Sequence, residues 1–276
     1  MSTTLKRVSV DQGYGRSSRF YQTPDGEMYP SVTSILSCVG KPALINWAAN
    51  QERALVIDAA AALYEDMPLI PKKMSRAAYV ATLQSRVGKQ KAHQKELARA
   101  GEIGTAVHAL IEWNLRRELG QQVGPEPHVA DRALWCFMAY EDWRKKSGLK
   151  PLAIEQVVWS SSHGYAGTMD VFGEVLIEPH GTCVAVLDWK TGKGIYDEAL
   201  LQNAAYVQAL IEMGHATAPV YGVIVRLPKV ETDPEFEVKV ILAEEQAELF
   251  EAFLAVKRLW GWLQVREEAR EATKSA

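Results

Sequence analysis

Apolar positions recur with a helical spacing in the first half of the chain and with short, strand-like runs in the second, the change falling near Gly148. Pro42 to Leu119 is rich in Ala, Leu, Gln, Glu, Lys and Arg, with Pro68, Pro71 and Gly101 as breaks, which predicts three or four helices. Another is predicted from Val129 to Lys146. Beyond Gly148, Leu152 to Trp159, Tyr165 to Ile177 and Val184 to Trp189 are β-prone runs separated by SSSHG and EPHGT, which predicts a three-stranded meander. Helical spacing returns over Asp197 to Met213. Strands are predicted at Val220 to Leu227 and Phe236 to Ile241, and a long amphipathic helix from Ala243 to Arg270.

Ahead of the helices, Arg16 to Tyr29 sets RFY and EMY around Pro24-Asp25-Gly26, which predicts a short hairpin ending at Pro30. SVTSILSCVG then reads as a short helix, with Ser31 or Thr33 near its N-cap and Gly40 closing it. The order predicts one α/β domain with a helical N-terminal elaboration and no internal repeat.

A chain of 276 residues can bury one large core or two small ones, and 47% hydrophobic with 24% charged residues excludes wholesale disorder and fibrous architecture. The longest apolar candidate, Ala54 to Tyr64, is interrupted by Asp58 and falls short of the roughly 20 residues of a membrane span. No membrane partner is expected. MSTTLKRVSVDQGYGRSSRF carries neither a secretory apolar core nor an Arg-rich transit pattern, so a cytoplasmic location is expected. Cys38, Cys136 and Cys183 are odd in number, widely spaced and flanked by apolar neighbours, which reads as reduced core residues. Three thiols cannot supply a four-thiolate set, so no iron–sulfur cluster is expected.

The formal net charge of -3 argues against a basic nucleic-acid coat, yet the charge is unevenly spread. Lys72 to Arg99 holds eight basic residues against Glu96 alone, whereas Glu231 to Glu271 holds eleven acids against five bases. The basic stretch suits a polyanion, with Trp47, Tyr79 or Trp113 available for base stacking; on charge alone a solvated helix face fits equally well.

The chemistry concentrates in two segments. GYAGTMD ends on Asp170, and eighteen residues later VAVLDWKTGKG carries Asp188 and Lys190. If these segments pair as neighbouring strands, both carboxylates converge at one sheet end, beside the backbone carbonyl of Trp189. Two carboxylates and a carbonyl supply half of the octahedral oxygen shell that magnesium favours. Lys190, two residues from Asp188, leaves the same strand face and can orient a water or balance a phosphate charge.

With GTAVHALIE from Gly104 to Glu112 and Gln202-Asn203-Ala204-Ala205-Tyr206, these segments resemble the PD-(D/E)XK nuclease superfamily. The likeness is to its RecB-like branch, which includes the mitochondrial genome maintenance exonuclease and related phage and bacterial exonucleases. MYPSVTSIL adds a weaker likeness near the N-terminus. The resemblance implies a restriction-endonuclease-like core, a central mixed sheet flanked by helices, spanning 101–276 with the C-terminal helix as one compact unit. The region 1–100 would form the hairpin and a helical DNA-guiding part. It implies that Asp170, Asp188 and Lys190 are catalytic and that His108, Asp170, Asp188 and the Trp189 carbonyl hold Mg2+ or Mn2+, the imidazole tilting the site toward manganese. Gln202, Tyr206, Ser31 and Thr33 are candidate substrate-binding residues, and Glu155 and Glu112 further candidates. The second acid is Asp188 where the superfamily more often has glutamate, one methylene longer.

The implied function is a metal-dependent exonuclease acting on DNA ends, single-stranded or flapped, with a recombination or single-strand-binding protein as a partner. A double-strand exonuclease of phage-type recombination and a non-catalytic DNA-binding module of the same fold are the alternatives. Without the resemblance, His108 reads as a core histidine bonded to Glu112 one turn on, Tyr206 as packing, and Ser31 and Thr33 as helix caps.

Overall fold

The computed structural model describes residues 5–11, 17–66, 74–230, 232 and 235–275, so Arg16, Pro68, Pro71, Lys72 and Lys73 lie outside the described residues. Contacts divide the chain into two units, Met1–Val39 with Ile103–Ala276, and Gly40–Glu102.

The larger unit is built on a five-stranded sheet in the order β4-β5-β6-β7-β8, formed by β4 (Lys150–Ser160), β5 (Tyr165–Ile177), β6 (Gly181–Lys190), β7 (Tyr221–Arg226) and β8 (Glu237–Ile241). The predicted meander is present as two antiparallel pairings, β4 with β5 and β5 with β6. The helix α6 (Asp197–Glu212) carries the chain back so that β7 pairs parallel with β6, and β8 closes the edge antiparallel to β7, making the sheet mixed.

Alternation along each strand feeds two apolar layers. On one face, Ala185, Leu187 and Trp189 pack with Val107, Ile111 and Leu115 of α4 (Ala92–Glu118) and with Cys136, Tyr140 and Trp143 of α5 (Asp131–Ser147). On the other, Val186 and Phe172 pack with Ala204, Ala205 and Leu210 of α6, Val32 and Ile35 of α1 (Val32–Leu36), and Phe250 and Phe253 of α7 (Gln246–Ser275). A sheet covered on both sides by helices is the α/β architecture that the sequence predicts.

A second sheet, order β1-β2-β3, joins β1 (Lys6–Asp11), β2 (Ser17–Gln22) and β3 (Met28–Pro30). The predicted hairpin is its β2–β3 half, with Gly26 at φ +89° in the turn; β1 is an added strand that the sequence reading does not include. The first 39 residues thus group with the core rather than with the helices that follow them. The cause is visible at three points: Ser31 bridges to Ala166 of β5, the Tyr21 hydroxyl hydrogen-bonds the Thr168 hydroxyl at 2.8 Å, and α1 buries its apolar side against α6 and α7. Ser31 caps α1, its hydroxyl accepting the Ser34 N–H at 3.0 Å; the helix ends at Leu36, short of Gly40, because Ser37 turns its N–H back to Ser34 and Ile35.

The smaller unit holds α2 (Pro42–Asp66), α3 (Arg76–Val87) and the first turns of α4, tied by a 2.7 Å His93–Glu52 contact and an Arg86–Asp66 ion pair. Gly101, a predicted break, lies inside α4, which runs unbroken through it: a helix tolerates one glycine for about 1 kcal/mol. The three cysteines are free, Cys136 buried and Cys38 and Cys183 half-buried. Among the described residues no helix is long and apolar enough to cross a membrane.

Candidate active site at the end of the β5–β6 pair

The β5–β6 ladder runs from Ile177↔Gly181 to Val171↔Leu187, and Asp170 and Asp188 are the next residue on each strand. Asp188 follows the alternation of β6, on the side of Val186 and α6. On β5 the alternation fails. Met169 packs in the α6–α7 layer and Val171 in the α4–α5 layer, although residues two apart on a regular strand share a side. β4 makes the same exchange, with Ile154 in the α4–α5 layer and Val158, four residues on, in the other. The ladder brackets the exchange with Ile154↔Val171 and Gln156↔Met169. Glu155 sits between these pairs at φ 49°, a left-handed conformation that costs a side-chain-bearing residue roughly 1–2 kcal/mol. The result is that the carboxyls of Glu155 and Asp170 meet His108 of α4, one donor atom of each lying within 4.8 Å of the other two.

His108 Nε2 stands 3.0 Å from the Trp189 carbonyl oxygen and Nδ1 stands 3.3 Å from Asp170 Oδ1. The other carboxylate oxygen of Asp170 accepts the Trp189 N–H at 2.8 Å. Burial alone would lower the His108 pKa, but the charge and hydrogen bond of Asp170, with Asp188 adding to them, raise it to about 9. The ring is therefore an imidazolium donating from both nitrogens. Asp170, only 9% exposed, is penalised by burial, yet His108, Lys190 and the Trp189 N–H together hold its pKa below the ordinary carboxylate range. Glu155 goes the other way, raised to about 7 by burial and the Asp170 charge against the pull of His108.

Asp188, 2% exposed, is held from the α6 side. Its Oδ2 lies 2.6 Å from Lys190 Nζ, and its Oδ1 accepts the Gln202 amide at 3.2 Å. The same Gln202 accepts from Lys190 at 3.0 Å through its carbonyl oxygen and donates to the Tyr206 hydroxyl at 3.1 Å. Gln202 and Tyr206 reach the site together because they are one turn apart on α6. Tyr206 lies against Gly167 so closely that a Cβ there would strike its ring, which explains the glycine in GYAGTMD.

The structure thus brings together Asp170, Asp188, Lys190, His108, Gln202, Tyr206 and the Trp189 carbonyl. Glu155, one of the further candidates, forms a donor trio with His108 and Asp170, of which Asp188 is not a member. His108 is bonded to Asp170 rather than to Glu112, which pairs with Arg116 at 2.8 Å. Arg116, which sequence reasoning did not single out, also donates to the Ile154 carbonyl at 3.1 Å, just before the left-handed Glu155. Trp113 donates its indole N–H to Gly124 and carries Arg117 over its ring at 4.6 Å, leaving less of it for base stacking. Ser31 is buried as the α1 cap, with Thr33 exposed beside it and their hydroxyls 3.0 Å apart.

These residues fit a divalent cation. One imidazole and several carboxylate oxygens form the hard-to-intermediate donor set that magnesium or manganese takes. Asp188 Oδ2 is a buried oxygen with no hydrogen bond, only its ion pair, and so has a lone pair to spare.

No match is found among curated proteins. Residues 75–275, covering α3 through α7 and every residue of the constellation described above, match the PD-(D/E)XK nuclease superfamily. That span takes in most of the chain, and its strands hold the aspartates and lysine in the arrangement just described: the chain belongs to the PD-(D/E)XK nuclease superfamily.

Proposed function

We propose that the protein is a divalent-metal-dependent exonuclease of the RecB-like branch, hydrolysing phosphodiester bonds from DNA ends, with single-stranded or flapped ends preferred. Nuclease chemistry on DNA follows from the superfamily, whose nucleases use divalent metals. The observation that carries the finer reading is the Lys190–Gln202–Tyr206 chain closing on Asp188, next to the His108–Glu155–Asp170 trio.

His108, Glu155 and Asp170, with Asp188 and the Trp189 carbonyl beside them, would hold the ion. A divalent cation there supplies Lewis acidity toward the phosphodiester and lowers the pKa of water. Lys190 brings a cation to the scissile phosphate and orients the attacking water. Gln202 fixes the ammonium by accepting from it, while its NH2 group keeps Asp188 Oδ1 turned into the site. Tyr206, whose pKa burial and Asp188 push well above the ordinary value, stays a neutral hydrogen-bonding group. Ser31 and Thr33 are proposed to contact the strand as it approaches. The basic run from Lys72 to Arg99 offers charge for the sugar–phosphate backbone, partly offset by the Arg86–Asp66 pair.

The test is Lys190→Ala. We expect loss of DNA cleavage with DNA binding retained; cleavage at the wild-type rate would exclude Lys190 from catalysis and with it this reading.

A further inference from the structure

β1, β2 and α1 frame an open cavity of about 220 Å³ lined by Arg7, Arg19 and hydroxyl-bearing residues of β1, β2, α1 and its C-cap. Arg19 stands opposite Ser9 in the β1–β2 register, which sets Arg7 on the diagonal. Diagonal neighbours on a sheet are close enough for long side chains to interact, and like charges so placed repel. Among the described residues neither guanidinium has a carboxylate partner.

We infer that this cavity is a phosphate-binding subsite which holds one phosphate of the DNA strand being cut; the inference rests on the nuclease reading above. The lining is fixed before any ligand arrives. Ser34 Oγ accepts the Arg19 N–H at 2.8 Å and donates to the Arg19 carbonyl at 3.2 Å, which locks α1 onto β2. Ser37 gives its hydroxyl proton to the Ser34 carbonyl at 2.6 Å. The donors left for an anion are the two guanidiniums and the hydroxyl of Ser9, since Thr33 gives its proton to Ser31 and Ser31 gives its own to Ser34, and arginine forks match phosphate oxygens in pairs. Burial, and after it the charge of Arg7, pulls the Arg19 guanidinium below its ordinary pKa, and a bound anion would relieve the repulsion. At about 220 Å³ the cavity has room for a phosphate group.

Its position connects it to the candidate active site. Ser31, at the start of α1, bridges to Ala166, and Tyr21 bonds Thr168, both on the strand that carries Asp170. Ala166 and Asp170 are four residues apart on β5, about 13 Å of extended chain. A strand end seated in the cavity would therefore place a phosphodiester bond a few nucleotides away at the carboxylates.

The phosphate can be the strand's terminal monoester or an internal diester, and binding in a chelator, where nothing is cut, separates them. Fluorescence anisotropy of the full chain in EDTA would compare three single strands, 5′-phosphorylated linear, 5′-hydroxyl linear and closed circular, for wild type and R7Q/R19Q. A loss of about tenfold confined to the 5′-phosphorylated strand assigns the terminal monoester. An equal loss on all three, with a salt slope smaller by about 0.7 per phosphate contact removed, assigns an internal diester. If the double variant melts below wild type, R7Q, at an exposed position, carries the same comparison. Unchanged affinity and salt slope on all three strands in a folded variant overturns the subsite. Metal-dependent cleavage by the wild type is scored separately, so failure of the nuclease reading and failure of the subsite are told apart.

Discussion

Glu155 and Asp170 stand across from each other between the register pairs Ile154↔Val171 and Gln156↔Met169, at the point where both strands exchange the faces of the sheet that their side chains serve. Without that exchange Asp170 would keep the side of Phe172, two residues on, buried against α6 and α7, away from His108. Among the described residues Glu155 alone combines a side chain with a left-handed φ, and it does so beside the donor trio. Strain of this kind is retained where function demands it.

Glu155→Gly should therefore raise the stability of the metal-free protein while weakening metal binding. Glycine removes the left-handed cost and the burial of a carboxyl whose pKa has been driven up to about 7, and its greater freedom in the unfolded chain offsets part of the gain. The net expectation is about 1 kcal/mol of added stability in denaturant melts, with divalent-ion affinity by calorimetry down at least tenfold. A destabilised variant, or one with unaltered ion affinity, would contradict the role given to this residue.

The pH dependence follows from two raised pKa values. Glu155 goes from an ordinary carboxylate value to about 7 on folding, and His108 from 6.5 to about 9. Each folded group holds its proton where the unfolded chain has released it, so each contributes stability that is present below its unfolded pKa and lost as pH rises through its folded one. The metal-free protein should lose stability first between about 4.5 and 7 and then between about 6.5 and 9. His108 and Glu155 would both have to give up their protons to hold a divalent ion, so the stabilising effect of the ion should grow over the same range. Melting temperatures with manganese and with EDTA, compared from pH 6 to 9, check this; a gap that narrows with rising pH would contradict it.

Gln202 acts through its neighbours, accepting from Lys190 and donating to Asp188 and Tyr206. Gln202→Ala leaves Lys190 with only its Asp188 contact. A slip of about 1 Å in a positioned group can cost on the order of 100-fold in rate, so kcat should fall 10- to 100-fold with KM within about twofold. An effect on KM alone would make Gln202 a substrate contact instead of a positioning residue.

Much of this was readable in the sequence, and the unread part shares one cause. Asp188 and Lys190 are two residues apart on a strand, so alternation alone puts them together, and Gln202 and Tyr206 meet by helical spacing. Both are local relationships. His108 finds Asp170 62 residues away, whereas the partner that local spacing suggested, Glu112, is taken by Arg116. Nothing in LAIEQVVW marks Glu155 as left-handed, because no glycine or asparagine stands there and the cause lies in the neighbouring strand and in α4. Gly101 was misleading in the opposite sense, a glycine whose helix continues because the turns on either side hold it. Arg7 and Arg19 share a cavity only because β1 pairs with β2, and the predicted hairpin begins at Arg16, so β1 falls outside it.

The most direct test of the central claim is cleavage of an end-labelled single-stranded DNA with magnesium or manganese, wild type beside Asp188→Asn, with a closed circular strand as control. Trimming of the linear strand by the wild type alone, with the circle intact and all activity lost in EDTA, is the predicted result. Cleavage of the circle would make the enzyme an endonuclease, and equal cleavage by Asp188→Asn, or none by either protein under either metal, would contradict the account of the site itself.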